Sequence, residues 1–166
     1  MPAKGMSKAT AKRRGFVLDK TGVWRKKTVL EKYYEEGYLD LIDSPFPAEK
    51  RMRAGEILAR DYYLGNYDNL QSVKIYQFNI RTTGSAGKER SLYYRERYMR
   101  AVKNIPYEFW PTVYKVCIED TRIDKFEEKN DNSLNAKNKN YCLKVFLCLG
   151  LERLLKFYLQ KNKKSS

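Results

Sequence analysis

Apolar residues recur along this chain at helical spacing far more often than they alternate. Val29, Leu30, Tyr33, Tyr34 and Tyr38 fall on one side of a helix, and the pattern predicts one over 26–38. SPFP at 44–47 breaks the chain and offers Pro47 as a first helical residue. A second helix is expected over 47–64, stopped by Gly65 and the turn-prone NYDN after it. In residues 71–83 the period changes. Val73 and Ile75, then Tyr76, Phe78 and Ile80, alternate as in a short strand, with its centre at 73–80. TTGSAG at 82–87 reads as a loop.

Helical spacing then resumes. A helix is predicted over 88–103, with Leu92, Met99 and Val102 marking its buried side. Ile105-Pro106 ends it, and the next helix, over 107–119, carries Phe109, Trp110, Val113, Val116 and Cys117. Pro111 fits there only within the first turn. Residues 120–138 are polar, with a short helix expected at 123–129, and NDNSLNAKNKN has the Asn and Lys content of a loop. The final helix, predicted over 141–160, aligns Leu143, Leu147, Leu151, Leu154 and Tyr158. Its first half, CLKVFLCLGL, is apolar nearly all round and belongs at the centre of the molecule. Residues 1–22 lack apolar periodicity and read as a flexible basic arm, and 161–166 as a frayed tail. The fold class is therefore mainly α, with one compact helical domain over 23–160.

Charge narrows the partners. The chain holds 34 Lys and Arg against 20 Asp and Glu, a formal +14. An excess of that size makes polyanions natural partners, because each neutralised phosphate releases counterions. The charge is also blocked. Residues 1–33, 81–103 and 137–166 carry ten, seven and eight basic groups against two, two and one acidic, while the segments between them are mildly acidic. This distribution suits a surface with one binding side.

Other chemistries find less support. There is no histidine, and Cys117, Cys142 and Cys148 sit in apolar contexts without CxxC spacing, so they read as reduced, buried thiols rather than zinc ligands. No cofactor or metal is expected. MPAKGMSKATAKRR has no apolar run that could act as a signal peptide, and Cys142–Leu151 is too short to span a bilayer. The expected location is cytoplasmic, at the nucleoid, with no membrane contact. Glu119, Asp120, Asp124, Glu127 and Glu128 could in principle hold Mg²⁺ for phosphodiester cleavage, but they also suit a solvated helix face.

Two stretches resemble known families. YRERYMRAVKNIPYEFWPTVYKVCIED (94–120) followed by KNYCLKVFLCLGLERLLKFYL (139–159) resembles the promoter-recognising fourth region of bacterial sigma factors and related helix-turn-helix regulators. Ile105-Pro106 and Leu143–Leu154 stand in the places of that region's turn and final helix. AEKRMRAGEILARDYYLGN (48–66), with the same later pieces, is similar to an alphaproteobacterial domain of phage-related and gene-transfer-agent transcription regulators. The resemblances imply a helical, DNA-associated regulator with a helix-turn-helix-like C-terminal half. The stretch IDKFEEKNDNSLNAKNKN (123–140) is longer than the tight turn of that motif and holds no glycine.

If the final helix or the loop before it enters a major groove, Lys137, Lys139, Asn140 and Lys144 stand at its leading end, beside Asn135 and Asn138. Asn pairs bidentately with adenine and Lys donates to guanine. Arg90, Arg97 and Arg100, spaced with Tyr93 on one helix face, could follow a phosphate backbone. Lys4, Lys8, Lys12, Arg13 and Arg14 of the arm could track phosphates or a minor groove. The reading that results is a non-enzymatic regulator that binds double-stranded DNA, with RNA polymerase as a further partner. The alternatives are a phage structural protein or polymerase-contacting adaptor and, behind these, a metal-dependent nuclease.

Overall fold

The computed structural model describes residues 7–18, 22–65, 85–126 and 133–162. Among them the protein is mainly helical, with six α-helices and one two-stranded sheet. The strand expected at 73–80 lies outside the described residues, as do Lys4 and the tail beyond Asn162.

The N-terminal stretch differs most from expectation. In place of a flexible arm, residues 7–18 form helix α1 (Lys8–Arg13) and strand β1 (Phe16–Leu18). Strand β2 (Trp24–Lys26) pairs antiparallel with β1, setting Phe16 opposite Lys26 and Leu18 opposite Trp24. Ser7 caps α1 by accepting from the Thr10 amide. Gly15, at a φ of 76°, makes the left-handed turn into the hairpin that other residues adopt only with strain. Ala11 is buried as α1 lies against β1. A few apolar residues, none at helical period over a long stretch, suffice to order so short a unit.

Helix α2 (Val29–Glu35) begins three residues later than the periodicity suggests, because Thr28 and Glu31 close a capping box. Thr28 Oγ1 accepts from the Glu31 amide, and Glu31 accepts from the Thr28 amide at 2.8 Å. Helix α3 (Ala48–Leu64) follows the SPFP break as expected. Its Arg51 is fully buried and donates to the carbonyls of Leu39 and Phe46 and to Asp40, pinning the loop between α2 and α3.

Helix α4 (Ser85–Val102) begins inside the expected TTGSAG loop. It is also rotated from the predicted orientation. Tyr98 and Ala101 are buried, whereas Leu92 and Met99 are 56% and 46% exposed. Val102 packs against the core as expected, but the rest of the inward face is set by Tyr98, Ala101 and Arg97 rather than by Leu92 and Met99. Helix α5 (Trp110–Cys117) carries Pro111 in its first turn and buries Val113, Val116 and Cys117, as its pattern requires. The short helix expected at 123–129 is a single 3-10 turn at Ile123–Lys125.

Helix α6 (Ser133–Asn162) occupies the centre, packed against α3, α4 and α5. Leu147, Leu151 and Leu154 are fully buried. Residues 133–140, expected as a loop, form its first two turns; Ala and Lys sustain a helix there despite the asparagines. Gly150 lies where α5 crosses, and a Cβ at that position would collide with the Val113 side chain. Cys117 and Cys148 are buried as expected, but Cys142 is exposed, because α6 turns that face away from its neighbours. Among the described residues no helix is long and apolar enough to cross a membrane.

Candidate nucleic-acid interface

The N-terminal unit concentrates basic charge. Among its described residues, 7–18 and 22–27, seven are Lys or Arg and none is Asp or Glu. Two of the seven fasten the unit to α2. Arg25 grips Glu31 with both terminal nitrogens, at 2.6 and 2.7 Å, and Lys27 pairs with Glu35. Burial works against the Glu31 charge, but Arg25 and the Thr28 amide outweigh it and hold the carboxyl below its ordinary value. The side chains of Lys12, Arg13, Arg14 and Lys26 remain exposed. The unit thus presents cations on a folded platform whose attachment pairs two others with Glu31 and Glu35. Lys8 lies in the same helix. The sequence alone does not single out Lys26, since WRKK reads equally well as the start of a helix. The T-x-x-E capping signature at Thr28 separates strand from helix.

The basic face of α4 does not survive intact. Arg97 donates through Nε and Nη2 to both carboxylate oxygens of Asp61, a residue with 0% exposure on α3. That hydrogen-bonded pairing pushes the guanidinium ionisation still higher than usual. A buried carboxylate requires such a partner, and so Arg97 turns inward and α4 rotates with it. Arg97 is therefore a structural cation rather than a phosphate contact. Arg90 and Arg100 are exposed, Arg100 standing 3.6 Å from Glu96.

At the other end, Lys137 and Lys139 are exposed on the first turns of α6, and Asn140 is half-buried. Lys144, expected at a groove-reading end, is instead turned onto the protein. Its ammonium lies 3.3 Å from the centroid of the Tyr38 ring, a cation–π contact that draws it onto the α2–α3 loop. The side chain of Asn135 falls outside the description, and Asn138 is exposed.

The candidate residues do not converge on one face. Burial and then the Asp61 charge push up the ionisation of the Tyr158 hydroxyl of α6, which lies within electrostatic reach of the Asp61–Arg97 pair. Ile105, after α4, lies beside Gly150. Helices α4 and α6 therefore run antiparallel, and Lys139 stands roughly 28 Å along α6 from the level of Arg97, at 1.5 Å per residue. Residues 118–132, with their 3-10 turn, separate α5 from α6.

The acidic residues are dispersed too. Asp120 adopts a positive φ of 51° and its Oδ1 accepts from the Val29 amide at 2.6 Å, capping α2. Burial raises its ionisation. Asp124 pairs with Arg122 at 3.0 Å. Glu127 and Glu128 lie outside the described residues. Among the described residues, no three His, Cys, Asp or Glu side chains are grouped as metal ligands.

No protein-family model matches the chain, and neither a curated protein nor a solved structure matches it.

Proposed function

We propose that this protein binds double-stranded DNA as a non-catalytic regulator, holding the phosphate backbone with its N-terminal helix–hairpin unit. The observation that carries the reading is the charge of that unit: seven basic residues and no acidic one among its described residues, with Lys12, Arg13, Arg14 and Lys26 exposed. Cations held on a folded support lose little freedom on meeting phosphates, so the electrostatic gain is kept. Lys137 and Lys139 at the start of α6, and Arg90 and Arg100 on α4, are further exposed cations. The regulatory part of the reading rests on the sigma-like and gene-transfer-agent-like stretches, where Ile105-Pro106 separates α4 from α5.

The test is fluorescence anisotropy with a short labelled duplex at low salt. Wild-type protein is expected to bind, and the variant Lys12→Ala/Arg13→Ala/Arg14→Ala/Lys26→Ala to bind much more weakly with an unchanged thermal transition. Equal binding by the two proteins would overturn the assignment of the interface, and no binding by folded wild type would overturn the function.

A further inference from the structure

The exposed side of α4 combines features that the basic hairpin unit lacks. Tyr93 is 56% exposed, yet its ring is not loose. Arg97 Nη1 donates to its hydroxyl at 3.4 Å, and the Arg97 guanidinium carbon lies 5.4 Å from its ring centroid. Arg97 is itself locked to the fully buried Asp61. The ring of Tyr94, 5.5 Å from the same guanidinium, packs edge-on against Tyr93 at 5.4 Å. An exposed aromatic is thus anchored through two residues to the core. Leu92, equally exposed, stands beside it.

Cations flank this ring. Arg90 lies one turn before Tyr93 on the same face, exposed and in no ion pair among the described residues, and Arg100 lies two turns after, 3.6 Å from the exposed Glu96, which with Glu89 shares this side of the helix. Arg90 and Arg100 are about 15 Å apart along the axis at 1.5 Å per residue, long enough for more than one phosphate. A duplex keeps its bases stacked inside and offers this ring nothing but backbone. An unpaired strand offers base faces, and base–aromatic stacking with adjacent basic side chains is how single strands are held without sequence preference.

We infer that α4 binds single-stranded nucleic acid, an unpaired base stacking on Tyr93 while neighbouring phosphates meet Arg90 and Arg100. This deepens the nucleic-acid reading and rests on it. On a chain that also grips duplex, such a site would favour junctions where a strand has been opened.

The experiment measures anisotropy of a labelled single-stranded oligonucleotide and of the matching duplex, for wild type, Tyr93→Ala and Tyr93→Phe. Tyr93→Ala is expected to weaken single-strand binding about tenfold, the loss of one base–aromatic stack. Its duplex affinity and thermal transition should match wild type, and Tyr93→Phe, which keeps the ring, should bind single strand nearly as wild type does. Unchanged single-strand binding by Tyr93→Ala, or an equal loss on both nucleic acids, would overturn the stacking site while leaving the duplex reading intact. No binding of either nucleic acid by the wild type would overturn both.

Discussion

Arg97 on α4 closes both oxygens of the fully buried Asp61 on α3, and that one pairing decides which face of α4 meets the core. Removing the cation takes the two-pronged partner from a fully buried carboxylate and leaves it the longer contact to Arg60 at 3.9 Å. Arg97→Ala is therefore expected to lower stability by about 3–5 kcal/mol in denaturant unfolding. Arg97→Lys should lie between, because an ammonium cannot reproduce the two-pronged contact. A stable Arg97→Ala protein that had lost only nucleic-acid binding would return Arg97 to the interface and contradict the packing account.

Asp120 performs two tasks that asparagine can share and alanine cannot. It accepts from the Val29 amide at the start of α2, and it sits at a positive φ that Asn tolerates well. Asp120→Ala should cost about 1–2 kcal/mol for the lost cap, and Asp120→Asn much less.

The same residue and Glu31 give stability opposite dependences on pH. Burial raises the Asp120 ionisation, so its protonated form is favoured in the fold. That contribution is present below the ordinary value of 3.8 and is lost as the pH rises through the elevated native value. Glu31 is held low, so its contribution is present above 4.5 and is lost as the pH falls through the depressed native value. Unfolding measured across the acid range should show Glu31→Gln flattening the acid loss of stability and Asp120→Asn removing the opposing slope. An unchanged profile in both variants would contradict the assignments.

Gly150 tests the central crossing. Adding a methyl group there gains about 1 kcal/mol of helix propensity but drives into Val113, and such overpacking costs about 1–3 kcal/mol. Gly150→Ala is expected to destabilise the wild type and to be neutral or stabilising in a Val113→Ala background. Destabilisation of equal size in both backgrounds would mean that α5 and α6 do not meet at this point.

Much of this architecture is legible in periodicity. Helix α3 and the buried stripe Leu147, Leu151 and Leu154 follow directly from it, because a buried aliphatic face leaves a strong signal. The orientation of α4 is not legible in the same way. Leu92 and Met99 look like core residues until Asp61, more than thirty positions earlier, is known to need Arg97. The start of α6 hides behind asparagines that suit loops equally well. Among the candidate site residues, Lys12, Arg13 and Arg14 are exposed as a basic surface requires, yet on a folded unit that short segments of unpatterned sequence do not announce. Lys144 reads as a free cation in the sequence because nothing local reveals Tyr38 beneath it.

The central claim is that duplex DNA is held by the cations of the helix–hairpin unit. Its most direct measurement is the slope of log affinity against log salt between about 50 and 200 mM, for wild type and the four-alanine variant at Lys12, Arg13, Arg14 and Lys26. Each phosphate that is no longer neutralised should flatten the slope by about 0.9. The account predicts a steep wild-type slope and a variant slope shallower by roughly 2–4, as two to four phosphates go without a cation. Identical slopes in the two proteins would contradict it and move the phosphate-binding cations elsewhere on the surface.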